Sequence, residues 1–485
     1  MNMKTDKEYI WTASDAAGAT GGQTDGAWLA SGLSIDTRSL EAGDLFIALT
    51  DQRDGHDFVA NAFAAGASAA LVSRPMPDAG GPLLLVDDVL PALEALGIAA
   101  RARCQAVRMA VTGSVGKTSV KEMLAQIFRS AGNAHWSVKS FNNHWGVPLT
   151  LARLPQSTER AVFEIGMSTP GEIAPRSDMV RPHCAIITKI AGVHLEGLGS
   201  VTGVAEEKAG IFAGLEAGGV AILPSEDAHL DLLRTRALEA VSDAEILTFG
   251  TSADSHGRVL SYMPDGHGAM AELDILGTKV HVKLQAGGEH WALNSAAAIL
   301  AAVASARLSA SEAAEALGGF SPPQGRGGVE HLALPAGGTF TLVDDSYNAN
   351  PTSMSAALEA LAVRPATRRL VALGAMGELG PDSEQLHASL SGAVEASGAS
   401  HVWLSGEDMR ALSEKLDSAI QQDWAVKANE LLNGVKNTLS NGDVLLIKGS
   451  NASGMVQFAD ALRQWSAGTD EQVMESGAEN AAEGL

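Results

Sequence analysis

Cysteine is almost missing from this chain. The two present, Cys104 and Cys184, offer no disulfide framework and suit a reducing cytosol, where both read as small buried hydrophobes. Long apolar runs are missing as well. The longest stretch, Ala296 to Ala306, contains Ser305 and is far too short to span a bilayer, so it reads as a buried helix. No apolar run follows the N-terminal Met1-Asn2-Met3-Lys4-Thr5-Asp6. Neither export nor membrane insertion is expected, and the location implied is cytoplasmic. Basic charge is scarce: 34 Lys and Arg stand against 57 Asp and Glu, a net charge of −23. That balance argues against nucleic acid or an anionic membrane as the main partner. It leaves nucleotides open, because a local cluster of N–H groups, Lys and Mg²⁺ binds phosphate inside an acidic protein.

What is present describes a globular α/β protein. Hydrophobic residues make up 46% of the 485 and charged residues 19%, enough for an ample core. At roughly 150 residues per domain the length implies about three domains. The chain is organised around Thr112-Gly113-Ser114-Val115-Gly116-Lys117-Thr118-Ser119. An apolar strand-like segment, Val107 to Val111, precedes it. Val120, Met123, Leu124, Ile127 and Phe128 follow at helical spacing. Strand, glycine turn and helix form the context of a phosphate-binding loop. Gly113 and Gly116 let successive N–H groups turn inward on an anion, and the helix N-terminus adds partial positive charge. Lys117 would reach the terminal phosphates and the Thr118 hydroxyl would ligate Mg²⁺. The spacing is one residue short of the usual motif, with Val111 where its first Gly would stand.

Three compositional units follow one another. Residues 1–104 carry strand candidates at Leu45 to Leu49, Ala69 to Val72 and Leu83 to Val86, with a helix at Phe58 to Ala65. Residues 105–318 add strands at Ala161 to Ile165, Cys184 to Thr188, Val220 to Leu223 and Glu245 to Phe249. Helical patterns lie between several of these, the signature of a mainly parallel sheet. A hairpin about Gly277-Thr278 and helices at about 290–306 and 309–318 complete the unit. Ser321 to Gly328 reads as a linker. Residues 319–467 show strands at Phe340 to Asp344, Leu370 to Leu373, His401 to Leu404 and Val444 to Ile447, again doubly wound. Residues 468–485 form an acidic tail expected to stay disordered. No repeat of roughly 20–50 residues occurs.

Polar groups gather at strand ends. Glu164 ends a strand at the edge where the phosphate loop opens, and would hold Mg²⁺ beside Thr118, with a simple strand cap as the alternative. His194-Leu195-Glu196 follows the Ile186 strand. Glu206-Glu207-Lys208 sits in the next helix, where a solvated charged face is the plain reading. His290 and Asn294 share a helix face, with helix capping as the alternative to an adenine contact. Arg326 in the linker and Asp344 to Asn350 form the densest polar cluster of the third unit, and a site is expected there. Lys448-Gly449-Ser450 ends the last strand.

With these residues assembled, the chain resembles the Mur ligase family. The matching segments are Thr112 to Ser119, Phe141-Asn142-Asn143 with Gly146 to Thr150, Glu164-Ile165-Gly166, His194 to Glu196, Lys208, and the His290/Asn294 pair. Arg326, Asp344 to Asn350, Glu378 to Gly380, Lys448 to Ser450, and N-terminal Asp36 to Arg38, Gly43 to Phe46 and His56 to Phe58 also match. The form Asp-Asp-Ser-Tyr-Asn-Ala-Asn points to members that add D-alanyl-D-alanine, and no Asp-Asn-Pro-Arg motif occurs. Ser168-Thr169, Ala375 and Gly210 depart from the family pattern.

The resemblance implies a small N-terminal α/β domain for a UDP-sugar, a central P-loop-type ATPase domain and a Rossmann-like C-terminal domain. It implies ATP-driven amide formation between UDP-N-acetylmuramoyl-tripeptide and D-alanyl-D-alanine, by a monomer, through an acyl phosphate. The implied ATP contacts are Thr112, Gly113, Ser114, Gly116, Lys117, Thr118, Ser119, His290, Asn294, Arg326 and Asp345. One Mg²⁺ would sit at Thr118 and Glu164, a second at His194 and a carbamylated Lys208. Lys117, His194 and Lys208 would be catalytic. Substrate contacts would come from Ser34, Asp36, Arg38, Asn142, Asn143, Tyr347, Asn348 and Asn350. A folylpolyglutamate-synthetase-like ligase and a nucleotide switch without acyl transfer remain as alternatives.

Overall fold

Alternating burial along one strand sets the centre of the fold. In Val107–Thr112 the side chains of Met109 and Val111 enter one apolar layer and Ala110 the opposite one, as the two-residue period of a strand requires. The structure, a computed structural model, describes residues 8–193, 195–265 and 268–468. His194 and the acidic tail from residue 469 therefore lie outside the described residues.

The strand Val107–Thr112 lies inside a nine-stranded sheet. On one side it pairs in parallel with Arg160–Glu164, which pairs with Ala134–Trp136. On the other side follow Cys184–Ile187, Val220–Pro224, Glu245–Gly250 and Gly257–Pro264, all parallel. Antiparallel strands Ala269–Ile275 and Thr278–Leu284 close that edge. Helix Lys117–Ala131 packs Val120, Met123, Leu124 and Ile127 on one face of the sheet, together with helix Glu289–Ala306. A parallel sheet covered on both faces buries its strands completely, which is why they read as unbroken apolar runs.

The N-terminal sheet has five strands in the order Gln23–Thr24, Leu83–Leu85, Ala69–Val72, Asp44–Ile47, Gly32–Ser34. Its helix Val89–Arg103 packs Leu93 and Leu96 into the same apolar layer as Leu149 and Leu151 of helix Gly146–Ala152. The Trp11 indole N–H donates to the Ala152 carbonyl at 2.8 Å. One continuous core therefore joins the first unit to the second.

The C-terminal sheet has six strands in the order Gly328–Ala333, Thr339–Asp345, Val444–Lys448, Arg369–Gly374, Ala399–Ser405, Gln421–Ala425. All neighbours are parallel except the first pair. Both cysteines are buried and free. Among the described residues no helix is long and apolar enough to cross a membrane.

Candidate active site

The phosphate loop runs from the end of strand Val107–Thr112 to the start of helix Lys117–Ala131. Gly113 and Gly116 hold φ of 150° and 86°. A Cβ at Gly113 would stand 1.9 Å from Thr188 Oγ1, and one at Gly116 would stand 2.8 Å from Asn294 Oδ1. Glycine is required at both for backbone and for space. The loop is laced to the next strand end: Ser114 Oγ donates to the Ala191 carbonyl at 3.0 Å and Thr188 Oγ1 to the Val115 carbonyl at 2.5 Å. Lys117 Nζ donates to the Gly113 carbonyl at 2.6 Å, folded back over the loop. Burial pulls its pKa below the usual lysine range, with the Glu164 carboxylate opposing. The N-cap Gly116 supplies no side-chain cap, and a helix N-terminus offers its first-turn N–H groups to an anion.

Register delivers the carboxylate. Glu164 pairs with Val111 across the sheet, so its side chain emerges beside the first helical turn. Thr118 Oγ1 donates to Glu164, 3.0 and 2.9 Å from its two oxygens, and Asn142 Nδ2 donates to Oε1 at 2.8 Å. The Thr118 and Ser140 hydroxyls are 3.4 Å apart, and Arg326 Nη2 donates to Ser140 at 3.1 Å. Arg326 also stacks 4.3 Å above the Tyr347 ring. A chain of contacts thus leads from the phosphate loop to the C-terminal unit. Mg²⁺ takes oxygen ligands and keeps several waters. A buried hydroxyl and carboxylate sharing one spot fit such an ion, and phosphate oxygens would complete its shell. Among the described residues no three His, Cys, Asp or Glu side chains converge as a metal cage.

Lys208, in helix Val201–Ala209, is only 1% exposed. Burial drives its pKa well down and the neighbouring Lys117 charge adds to the effect, so the charged form is disfavoured relative to a solvated lysine. The two glutamates before it are engaged elsewhere. Glu206 pairs with Arg236 at 2.7 and 2.9 Å. Glu207 accepts the backbone N–H groups of Gly171, Glu172 and Ile173 at 2.7 to 3.0 Å, capping helix Ile173–Val180. The solvated face expected for Glu206-Glu207-Lys208 holds for Glu206 and fails for Glu207, which is tied to backbone, and for Lys208, which is buried.

Beyond the linker, Lys448 Nζ donates to Asp345 Oδ2 at 2.7 Å and to the Asn348 carbonyl at 2.8 Å. Burial raises the Asp345 carboxyl, and Lys448 opposes the rise. His290, Trp291, Arg326, Asp345 and Arg364 line one cavity. Burial there, with Lys448 nearby, pushes the His290 pKa down to about 4, so it is neutral at pH 7.

Residues 111–302 match the Mur ligase middle domain and residues 332–451 the Mur ligase, glutamate ligase domain. Over 445 residues the chain is 36% identical to the UDP-N-acetylmuramoyl-tripeptide--D-alanyl-D-alanine ligase of Escherichia coli, covering 89% of this chain and 93% of that protein. This chain belongs to the Mur ligase family. The ligase of the same name from Bacillus subtilis is 33% identical, covering 86% and 90% of the two chains. Among solved structures, MurF from Acinetobacter baumannii superposes with a TM-score of 0.80 at 29% identity, over 94% of this chain and 99% of that one. MurF from Thermotoga maritima, solved in complex with ADP, shares the fold at a TM-score of 0.74 and 22% identity, over 91% and 98%.

Set in this Mur ligase, the expected site residues divide by place. Gly113, Ser114, Gly116, Lys117, Thr118, Glu164, Asn142, Asn294 and Arg326 come together around the loop. The Thr112 hydroxyl is buried and, among the described residues, without a hydrogen-bond partner; Ser119 is buried in the helix's first turn. Asp345 and His290 line the neighbouring cavity with Arg326, whose guanidinium lies over the Tyr347 ring. Ser34, Asp36 and Arg38 form their own group at the end of strand Gly32–Ser34, where Arg38 pairs with Asp36 at 2.7 Å. The charge of Lys139 reaches Asp36 from the central unit. Three asparagines carry structural duties too. Asn350 caps helix Pro351–Ala362, Asn143 accepts the Gly146 N–H at 2.8 Å, and Asn348 Oδ1 accepts the Ala349 N–H at 2.9 Å. Sequence reasoning missed Ser140, Thr188 and Lys121. Thr188 ends an apolar strand and Ser140 follows a short loop, and no local pattern marks either.

Proposed function

We propose that this Mur ligase joins D-alanyl-D-alanine to the terminal carboxylate of UDP-N-acetylmuramoyl-tripeptide at the expense of ATP, in the cytoplasm. The observation that carries the reading is the meeting of Lys117, Thr118 and Glu164 with Arg326, in a chain similar along nearly its whole length to ligases of that name. Residues 1–104 would hold the UDP-sugar, 105–318 the nucleotide, and 319–467 would close over both.

An oxygen of the tripeptide carboxylate attacks the γ-phosphorus, the bond to the β–γ bridging oxygen breaks, and ADP leaves. The amine of D-alanyl-D-alanine then attacks the acyl carbon, phosphate departs with the former carboxylate oxygen, and the amine loses its proton. The first step brings two anions together, so fixed positive charge is the main need. Lys117, released from the Gly113 carbonyl, would meet the charge that moves to the bridging oxygen. The loop N–H groups would hold the phosphates and Arg326 would approach them from the linker. Neutral His290 and Asn294 would bind the base, and Asp345 would fix the nucleotide from the C-terminal side. Ser34, Asp36 and Arg38 would take the UDP-sugar, and Asn142, Asn143, Tyr347, Asn348 and Asn350 the peptide ends. Mg²⁺ at Thr118 and Glu164, and a second ion at His194 and Lys208, would screen carboxylate from phosphate. The neutral Lys208 amine is the form that adds to CO₂, its nitrogen bonding to carbon and its proton passing to solvent.

The test is the product. Incubation with ATP, Mg²⁺, the tripeptide nucleotide and D-alanyl-D-alanine should give one species heavier by the dipeptide minus water. Its absence by mass spectrometry, with folded protein, would overturn the reading.

A further inference from the structure

Lys121 is fully buried among apolar neighbours of the phosphate-loop helix. Val120, Met123, Leu124 and Ile127 around it fill the core, and a leucine or methionine would fill a helix position of this size without desolvating a charge. The ammonium is instead fully used. It donates to the Ser137 carbonyl and the Lys139 carbonyl, each at 2.8 Å, and to the Glu122 carboxylate. These three acceptors match its three donors.

The two carbonyls belong to a loop without regular structure, between strand Ala134–Trp136 and helix Gly146–Ala152. Its backbone acceptors need partners, and no sheet neighbour supplies them. Lys139 has φ of 54°, a left-handed conformation that a lysine adopts only when held. Beyond this clamp lies the active-site edge. Ser137 Oγ accepts the Glu164 N–H at 3.2 Å. Ser140 contacts Thr118 and Arg326. Asn142 donates to Glu164 through its side chain and accepts the Gly166 N–H at 2.9 Å through its carbonyl.

We propose that Lys121 is a positioning residue: through the carbonyls of Ser137 and Lys139 it fixes the loop that presents Ser140 and Asn142 to the Thr118–Glu164 pair. Its three donors go to the two loop carbonyls and to Glu122, so its removal acts on the loop. The activity arm of the test rests on the ligase reading above; the structural arm stands without it.

The experiment uses the full chain carrying Lys121→Met, which keeps the side-chain length without a donor, and Lys121→Gln, which keeps a shorter donor. Hydrogen exchange followed by mass spectrometry is the structural arm. Segment 137–143 should lose protection in Lys121→Met while helix 122–131 keeps it. Turnover is the second arm: kcat should fall about tenfold or more, and KM for the UDP-substrate should rise severalfold, while KM for ATP stays within about twofold. Lys121→Gln should fall between Lys121→Met and the parent on both arms. Unchanged exchange in segment 137–143 would overturn the proposal, as would equal loss of protection throughout the helix. Loss of the whole fold in both variants would overturn it too, since Lys121 would then serve the core and not the loop. If exchange changes as expected but no ligase activity exists even in the parent, the positioning role stands and the ligase reading fails.

Discussion

Thr118 donates its hydroxyl to Glu164, 3.0 and 2.9 Å from the two carboxylate oxygens. The two residues lie 46 positions apart and meet because strand Arg160–Glu164 pairs in parallel with strand Val107–Thr112. A hydroxyl and a carboxylate held this close at a phosphate loop are poised to exchange their mutual bond for a shared cation. Glu164→Gln keeps the shape and an acceptor but removes the charge. The apparent Mg²⁺ requirement should rise and kcat should fall about a hundredfold or more. A Mg²⁺ titration of phosphate release checks this, and an unshifted titration curve would reject the shared-ion account.

Among the described residues Lys117 donates only to the Gly113 carbonyl. Lys117→Ala removes one hydrogen bond on a half-buried residue, so the melting temperature should change little. Turnover should fall by several orders of magnitude, mainly in kcat, because the ammonium acts on charge that develops as the bond breaks. Near-normal kcat would count against the loop's assigned role.

Lys208 is buried with its pKa held low by desolvation and by Lys117. Lys208→Ala should be inactive in plain buffer and should regain part of its activity when acetate is added, as a small carboxylate enters the space. Substantial activity without acetate would remove Lys208 from the ligand set.

His135 Nε2–H donates to the Thr150 carbonyl at 2.7 Å, and burial pushes its pKa down to about 4. Above the unfolded value of 6.5 the folded and unfolded chains bind the same protons there. As pH falls through 6.5, the unfolded chain gains a proton that the fold refuses until about pH 4, so stability is lost across that window. By about pH 5 the loss from this one residue is about 2 kcal/mol. Urea unfolding at pH 7 and pH 5 should show a smaller difference for His135→Gln than for the parent. Equal differences would contradict the assignment.

Much of this arrangement was legible in the residues because it is locally written. Val107 to Val111 followed by Gly113, Gly116 and a 3.6-residue apolar period can be little else than strand, turn and helix. The buried parallel strands were legible for the same reason, as continuous apolar runs. Several strands escaped, among them the two- and three-residue Gln23–Thr24 and Gly32–Ser34 and the antiparallel Gly328–Ala333 beside the segment read as a linker. Ala134–Trp136 is three residues long, and Gln421–Ala425 is a polar edge strand. Gly257–Pro264 breaks its register between Val259 and Ser261. Asn350 carries a structural role that the sequence reading passed over. Its cap was readable from Asn350-Pro351 and Ser353, but the density of polar residues drew attention to a site. Ser140 and Lys121 were beyond local reading altogether. Their meaning lies in contacts with Arg326 across 186 positions and with the carbonyls of a loop 16 and 18 positions away.

The central claim is that ATP cleavage here is coupled to joining one particular carboxylate to one particular amine. Phosphate release measured with ATP, Mg²⁺, UDP-N-acetylmuramoyl-tripeptide and D-alanyl-D-alanine, leaving out one component at a time, tests it most directly. The account predicts sustained release only with all four present, and near-background release when any one is omitted. Equal release without the tripeptide nucleotide or without the dipeptide would contradict it.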